Sequence, residues 1–92
     1  SERKDYVITE LRNMGLEVNE PKGAFYVFPS IKKFNMSSEE FCLRLLSEEK
    51  IACVPGSAFG TGGEGYIRIS YCYSMEELKK ALLGLKKFIN KL

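Results

Sequence analysis

Arg68 stands between two isoleucines in YIRIS (66–70), immediately after the glycine-rich run GTGGEG (60–65). A guanidinium is a planar, permanently charged fork whose parallel N–H groups match the two oxygens of a carboxylate, which a lysine on a flexible stem cannot imitate. Successive side chains of a strand point to opposite faces, so a strand over residues 66–71 puts Ile67 and Ile69 on one side and Tyr66, Arg68 and Ser70 on the other. The arginine is thereby expected on a polar, aromatic face.

The remaining inventory is poor in catalytic groups. There is no histidine, Asp5 is the single aspartate, and no nucleophile stands in an arrangement with a base and an orienting partner, so hydrolytic chemistry has no candidate. Cys42, Cys53 and Cys72 are odd in number, spread out and free of any CxxC spacing, which indicates neither a disulfide framework nor a zinc site and fits a reducing cytoplasm. Gly60, Gly62 and Gly65 match GxGxxG, but that fingerprint opens a helix whose N-terminus receives a pyrophosphate, and here a strand follows. With four glycines in residues 59–66 the segment reads as a mobile, turn-forming loop. Asn35-Met36-Ser37 fits the glycosylation sequon, yet Ser37 is better used as a helix cap.

Several elements must position the arginine. Val7, Ile8, Leu11 and Met14 recur at helical spacing and predict a helix over residues 2–14, ended by Gly15, a residue tolerant of positive φ. Residues 17–20 and 24–28 read as two strands joined by Pro21-Lys22-Gly23, with Phe25 and Val27 on one face and Ala24, Tyr26 and Phe28 on the other. Ser37-x-x-Glu40 and Ser74-x-x-Glu77 are capping boxes, predicting helices over residues 37–49 and 74–91. Phe41, Cys42, Leu45 and Leu46 form the apolar stripe of the first. Leu78, Ala81, Leu82, Leu85, Phe88, Ile89 and Leu92 form that of the second, opposed by lysines that keep a solvated face. Residues 51–54 make a short strand that Pro55 and Gly56 end. The order α-β-β-α-β-β-α predicts a two-layer α+β fold, a small mainly antiparallel sheet with three helices on one face.

Ninety-two residues suffice for one small domain, residues 1–92, and 45% hydrophobic content supports a folded core. Fourteen basic against twelve acidic residues, mixed in sign, lack the concentrated positive field of a nucleic-acid binder. No apolar run approaches the roughly 20 residues of a membrane span, and no signal-peptide pattern opens the chain. No partner of either kind is expected. The start at Ser1 rather than methionine suits a piece cut at a domain boundary.

PGSAFG (55–60) leading into YIRIS, preceded by NMGLEV (13–18) and GAFYVFP (23–29) and followed by YSMEELKKALLGLKKFI (73–89), resembles the C-terminal part of class I/II aminotransferases, pyridoxal 5'-phosphate enzymes of fold type I. The resemblance covers nearly the whole chain. It implies that Arg68 grips the substrate's α-carboxylate and that Tyr26 and Phe25 line the side-chain pocket. It also implies that the Schiff-base lysine, the aspartate at the pyridinium nitrogen and the phosphate cup lie in a larger domain, so no catalytic or cofactor-binding residue is expected here. The whole enzyme, a cytoplasmic homodimer held mainly by that larger domain, would close over an amino acid and pass its amino group to a 2-oxo acid. The fragment alone is expected to be monomeric and inactive. Two other readings suit the same residues: a non-catalytic amino-acid-binding regulatory module, and an interaction module using the bare sheet face.

Overall fold

A computed structural model describes residues 1–20 and 25–92. The expected turn Pro21-Lys22-Gly23 and residue Ala24 lie outside the described residues. Three helices, α1 (Glu2–Asn13), α2 (Ser38–Glu49) and α3 (Met75–Asn90), pack with four short strands, β1 (Val18–Asn19), β2 (Tyr26–Pro29), β3 (Val54–Pro55) and β4 (Ile67–Ser70). The strands form one sheet in the order β1-β2-β4-β3 with every neighbouring pair antiparallel. The α+β order expected from periodicity is the one observed.

Local chemistry explains the helix ends. Ser1, Ser37 and Ser74 each accept a bond from the amide three residues on, which satisfies a first-turn donor that has no intrahelical partner. Only Ser74–Glu77 closes the box in both directions. At α2 the acid serving the first turn is instead Glu64, which reaches across from the glycine loop to the Ser38 amide at 2.8 Å. Gly15 takes φ +90° just past α1, where its lack of a Cβ removes the steric penalty and lets the chain turn toward β1.

The core lies between the helices and one face of the sheet. Val7 and Leu11 of α1, Phe41 and Leu45 of α2, and Leu85 and Phe88 of α3 close over Val27 and Ile67. Burying a side chain of this size contributes about 1.5–3 kcal/mol. Leu46, expected in the α2 stripe, is exposed instead. Residues 51–53 do not join the sheet, and pairing begins at Val54 opposite Arg68. Lys50 turns the chain through the left-handed region after α2, and Ile51 then packs against the bare backbone of Gly84 in α3, so its side chain is spent on the helix rather than on a strand position.

Candidate functional site

The sheet register decides what surrounds Arg68. Tyr26 pairs with Ser70, Val27 with Ile69 and Ser30 with Tyr66, which sets Phe28 opposite Arg68; on the other side Val54 pairs with Arg68. Alternation sends Val27, Ile67 and Ile69 toward the helices and leaves Tyr26, Phe28, Tyr66 and Arg68 on the opposite face. Hydrogen bonding thus puts the cation on one face with three aromatic residues.

A fourth ring comes from the loop. The Arg68 guanidinium carbon lies 4.1 Å from the Tyr26 ring centroid and 4.7 Å from that of Phe59. Phe59 in turn meets Phe28 edge to face at 5.9 Å. Cation–π contacts of this kind contribute about 0.5–2 kcal/mol and hold the guanidinium without spending its N–H groups. Among the described residues no carboxylate lies within ion-pair distance of Arg68 and its guanidinium makes no hydrogen bond. The result is a positioned two-point donor whose complement is a carboxylate.

The loop that delivers Phe59 is not the loose connection expected from its glycine content. Two 3-10 turns, Gly56–Phe59 and Thr61–Gly63, fold on each other so closely that a Cβ on Gly56 would sit 1.8 Å from the Gly63 carbonyl oxygen. Glycine is used here for close backbone approach. Glu64 then staples the loop to α2: its carboxylate accepts from the Ser38 amide, the Ser38 hydroxyl at 3.1 Å and the Gly65 amide at 2.8 Å, while Ser38 Oγ accepts from the Ser57 amide.

These bonds, the Ser38 amide foremost, hold the Glu64 carboxyl below the usual carboxylate range, and the Ser74 amide does the same for Glu77. Stability from a depressed carboxyl is present above the unfolded-state value of about 4.3 and is lost as pH falls through the lower folded value. Melting temperature should therefore hold from neutral pH to about pH 5 and decline below it. Glu64→Gln should lower it at neutral pH and make the acid decline shallower; an unchanged acid slope in that variant would show that Glu64 does not anchor the loop.

Tyr26 lies against Arg68, and Phe25 lies away from it. It is 62% exposed at the end of the sheet, on the opposite side of the alternation, and packs against Tyr71 at 6.4 Å between ring centroids. Phe59, with Ser57 a lesser pocket candidate from the sequence, reaches Arg68 only through the folding of the loop, and Glu64 carries a part that spacing rules could not assign. Phe28 was legible from alternation alone, since it shares a face with Tyr26.

Pyridoxal phosphate needs a lysine reserved for it, donors around its phosphate and an acid at its ring nitrogen. The described residues do not fit that group. Four amides of the glycine loop are spent internally, Gly56 on the Tyr66 carbonyl, Gly63 on the Gly60 carbonyl, Gly65 and Ser57 as above. The single aspartate, Asp5, lies exposed on α1 among the helices.

Fold and site define a small α+β domain that presents a ring-clamped guanidinium on the open face of its sheet. Residues 1–85 match the family model of aminotransferase class I and II. The chain is 52% identical over 89 residues to a putative aminotransferase of Bacillus subtilis, a match covering 97% of this chain and 23% of that protein. It is 50% identical over 88 residues to an aspartate aminotransferase of Pyrococcus horikoshii, covering 95% and 22%. The crystal structure of an aromatic aminotransferase from Pyrococcus horikoshii superposes with a TM-score of 0.93 at 42% identity, covering 98% of this chain and 24% of that one. An aspartate aminotransferase from Thermotoga maritima gives 0.86 at 43% identity, covering 97% and 22%. The chain belongs to the class I and II aminotransferase family. It spans less than a quarter of the length of these relatives.

Proposed function

We propose that these residues form the C-terminal small domain of a pyridoxal-phosphate-dependent aminotransferase and that Arg68 binds the α-carboxylate of the amino acid that the whole enzyme converts to a 2-oxo acid. The observation that carries this reading is the Arg68 guanidinium, clamped between Tyr26 and Phe59 and without a carboxylate partner among the described residues. A buried or half-buried arginine kept only for stability is ordinarily paired. This one keeps its edge N–H groups for a ligand.

Tyr26 and Phe59 act by holding the plane of the fork. A carboxylate meeting that plane with both oxygens has its Cα placed to one side at a set angle, which converts charge attraction into orientation of the bond to be broken. Phe28 and Phe59 also border a groove of about 490 Å³ with Asn19, Glu20 and Tyr66, where apolar walls lie beside polar tips. The cofactor, bound by the rest of the longer protein, supplies the electron sink for moving the amino group. Closure of this open sheet face against a larger domain excludes water and strengthens the ion pair. A cytoplasmic homodimer held through that larger domain is part of the same proposal.

The test is Arg68→Lys in the longer protein. Charge survives but the two-point geometry does not, so kcat/KM for amino acids should fall to a value between those of the unaltered enzyme and of Arg68→Ala, with cofactor absorbance unchanged. Loss of bound cofactor in Arg68→Lys, or full activity, would remove the carboxylate role. The 92-residue chain by itself should fold and show no pyridoxal phosphate absorbance band after incubation with the cofactor. A stoichiometric adduct at one lysine of this chain would contradict the assignment of the cofactor to other parts of the protein.

A further inference from the structure

Cys42 and Cys53, eleven positions apart in sequence, meet with their Sγ atoms 3.1 Å from each other. Neither is bridged. Cys42 lies on α2 within the core and is 7% exposed, while Cys53 lies in the segment between α2 and β3, half-buried against the same core. From this juxtaposition we infer that Cys42 and Cys53 form a redox-active dithiol, a modification site that a small peroxide converts to an intramolecular disulfide.

Three features support the step. Closing the bond needs the sulfurs to approach by about 1 Å, to the usual S–S length near 2.05 Å. The movement falls on residues 51–53, which belong to no strand of the sheet, so no ladder hydrogen bond has to break. Access exists as well: Cys53 lines an opening of about 800 Å³ between α2, α3 and β4, bordered by Ile51, Val54, Leu78 and Ala81 and shared with Tyr26 and Arg68. The sulfurs also differ electrostatically. The contact between the sulfurs lowers the Cys42 thiol below its ordinary value, whereas the same contact and burial push Cys53 up. A thiolate is the nucleophile in such oxidation, and two thiols in contact give up the first proton more readily than the second.

The chemistry balances with hydrogen peroxide as the oxidant. One thiol loses its proton and attacks a peroxide oxygen; the O–O bond breaks, hydroxide leaves and takes that proton as water, and a sulfenic acid remains. The second sulfur attacks the sulfenic sulfur, the S–O bond breaks, and the departing oxygen takes the second thiol proton as a second water. Two thiols are oxidised and one peroxide is reduced. Cys72, exposed and without a neighbouring cysteine among the described residues, serves as an internal control.

Trypsin cleavage after lysine and arginine separates the three cysteines into peptides 34–44, 51–68 and 69–79. The full-length protein is treated with hydrogen peroxide, its remaining thiols are blocked as it is unfolded in the presence of the blocking reagent, and the digest is weighed without reductant. A joined 34–44/51–68 species that dithiothreitol separates, with 69–79 still blocked as a free thiol, is the expected result. Cys42→Ser and Cys53→Ser should each abolish the joined species. Free 34–44 and 51–68 after treatment that oxidises Cys72 would overturn the inference, as would joining of either peptide to 69–79 or to a cysteine elsewhere in the protein.

Discussion

Arg68→Ala in the full-length enzyme should lower kcat/KM for amino acids by about thirty-fold to several-thousand-fold while the cofactor stays bound. Removing one partner of a desolvated charge pair costs about 2–5 kcal/mol, and each 1.36 kcal/mol is tenfold in rate. Part of that cost is the substrate carboxylate left unpaired, and part is lost orientation. The rings should stay in place, because Tyr26 is held by the β2–β4 pairing and Phe59 by the loop that Glu64 anchors. Specificity of the effect is checked with a donor amine that lacks the carboxylate: deleting Arg68 and deleting the carboxylate remove the same interaction, so the two losses should not add. Near-normal kcat/KM in Arg68→Ala, or loss only through unfolding or release of cofactor, would return Arg68 to the role of an ordinary strand arginine.

The face on which Arg68 lies was legible because strand alternation is local. Two isoleucines flanking an arginine need no knowledge of the rest of the chain, and the helices were legible for the same reason, their serine caps and apolar repeats being read within a few residues. What failed to show were features made by long-range approach. Phe59 reaches Arg68 through two turns that exist because Gly56 and Gly63 let backbones touch, and composition alone made that loop look loose. Glu64 caps a helix that begins 26 residues before it, so no spacing rule could name it. Cys42 and Cys53 were read as separate because their meeting depends on Lys50 reversing the chain after α2. Alternation also separates Phe25 from Tyr26, but its contact with Tyr71 at the end of the sheet is another long-range approach that spacing does not name.

Phe41→Ala should destabilise the domain by about 3–5 kcal/mol, the usual cost of truncating a buried phenylalanine. Phe41 is fully buried where three segments meet, stacked on Phe34 at 5.8 Å and edge-on to Phe88 of α3 at 5.2 Å. The void left by the ring is bounded by partners on separate elements, Phe34 on a 3-10 turn and Phe88 on a helix, so closing it requires moving α2 against α3. Incomplete collapse leaves both the transfer loss and the cavity loss. Total stability for a chain of this size is about 5–14 kcal/mol, so the change removes a large fraction of it. At roughly 4–8 °C per kcal/mol, melting of the 92-residue chain should fall by at least about 12 °C. In the full-length enzyme at low temperature, kcat/KM should remain close to normal, because Phe41 lies under the helix side of the sheet and Arg68 projects from the other. A loss below about 1.5 kcal/mol would mean that the ring is not packed as described, and a kcat/KM loss comparable to that of Arg68→Ala in a still-folded protein would mean that the two faces of the sheet are not independent.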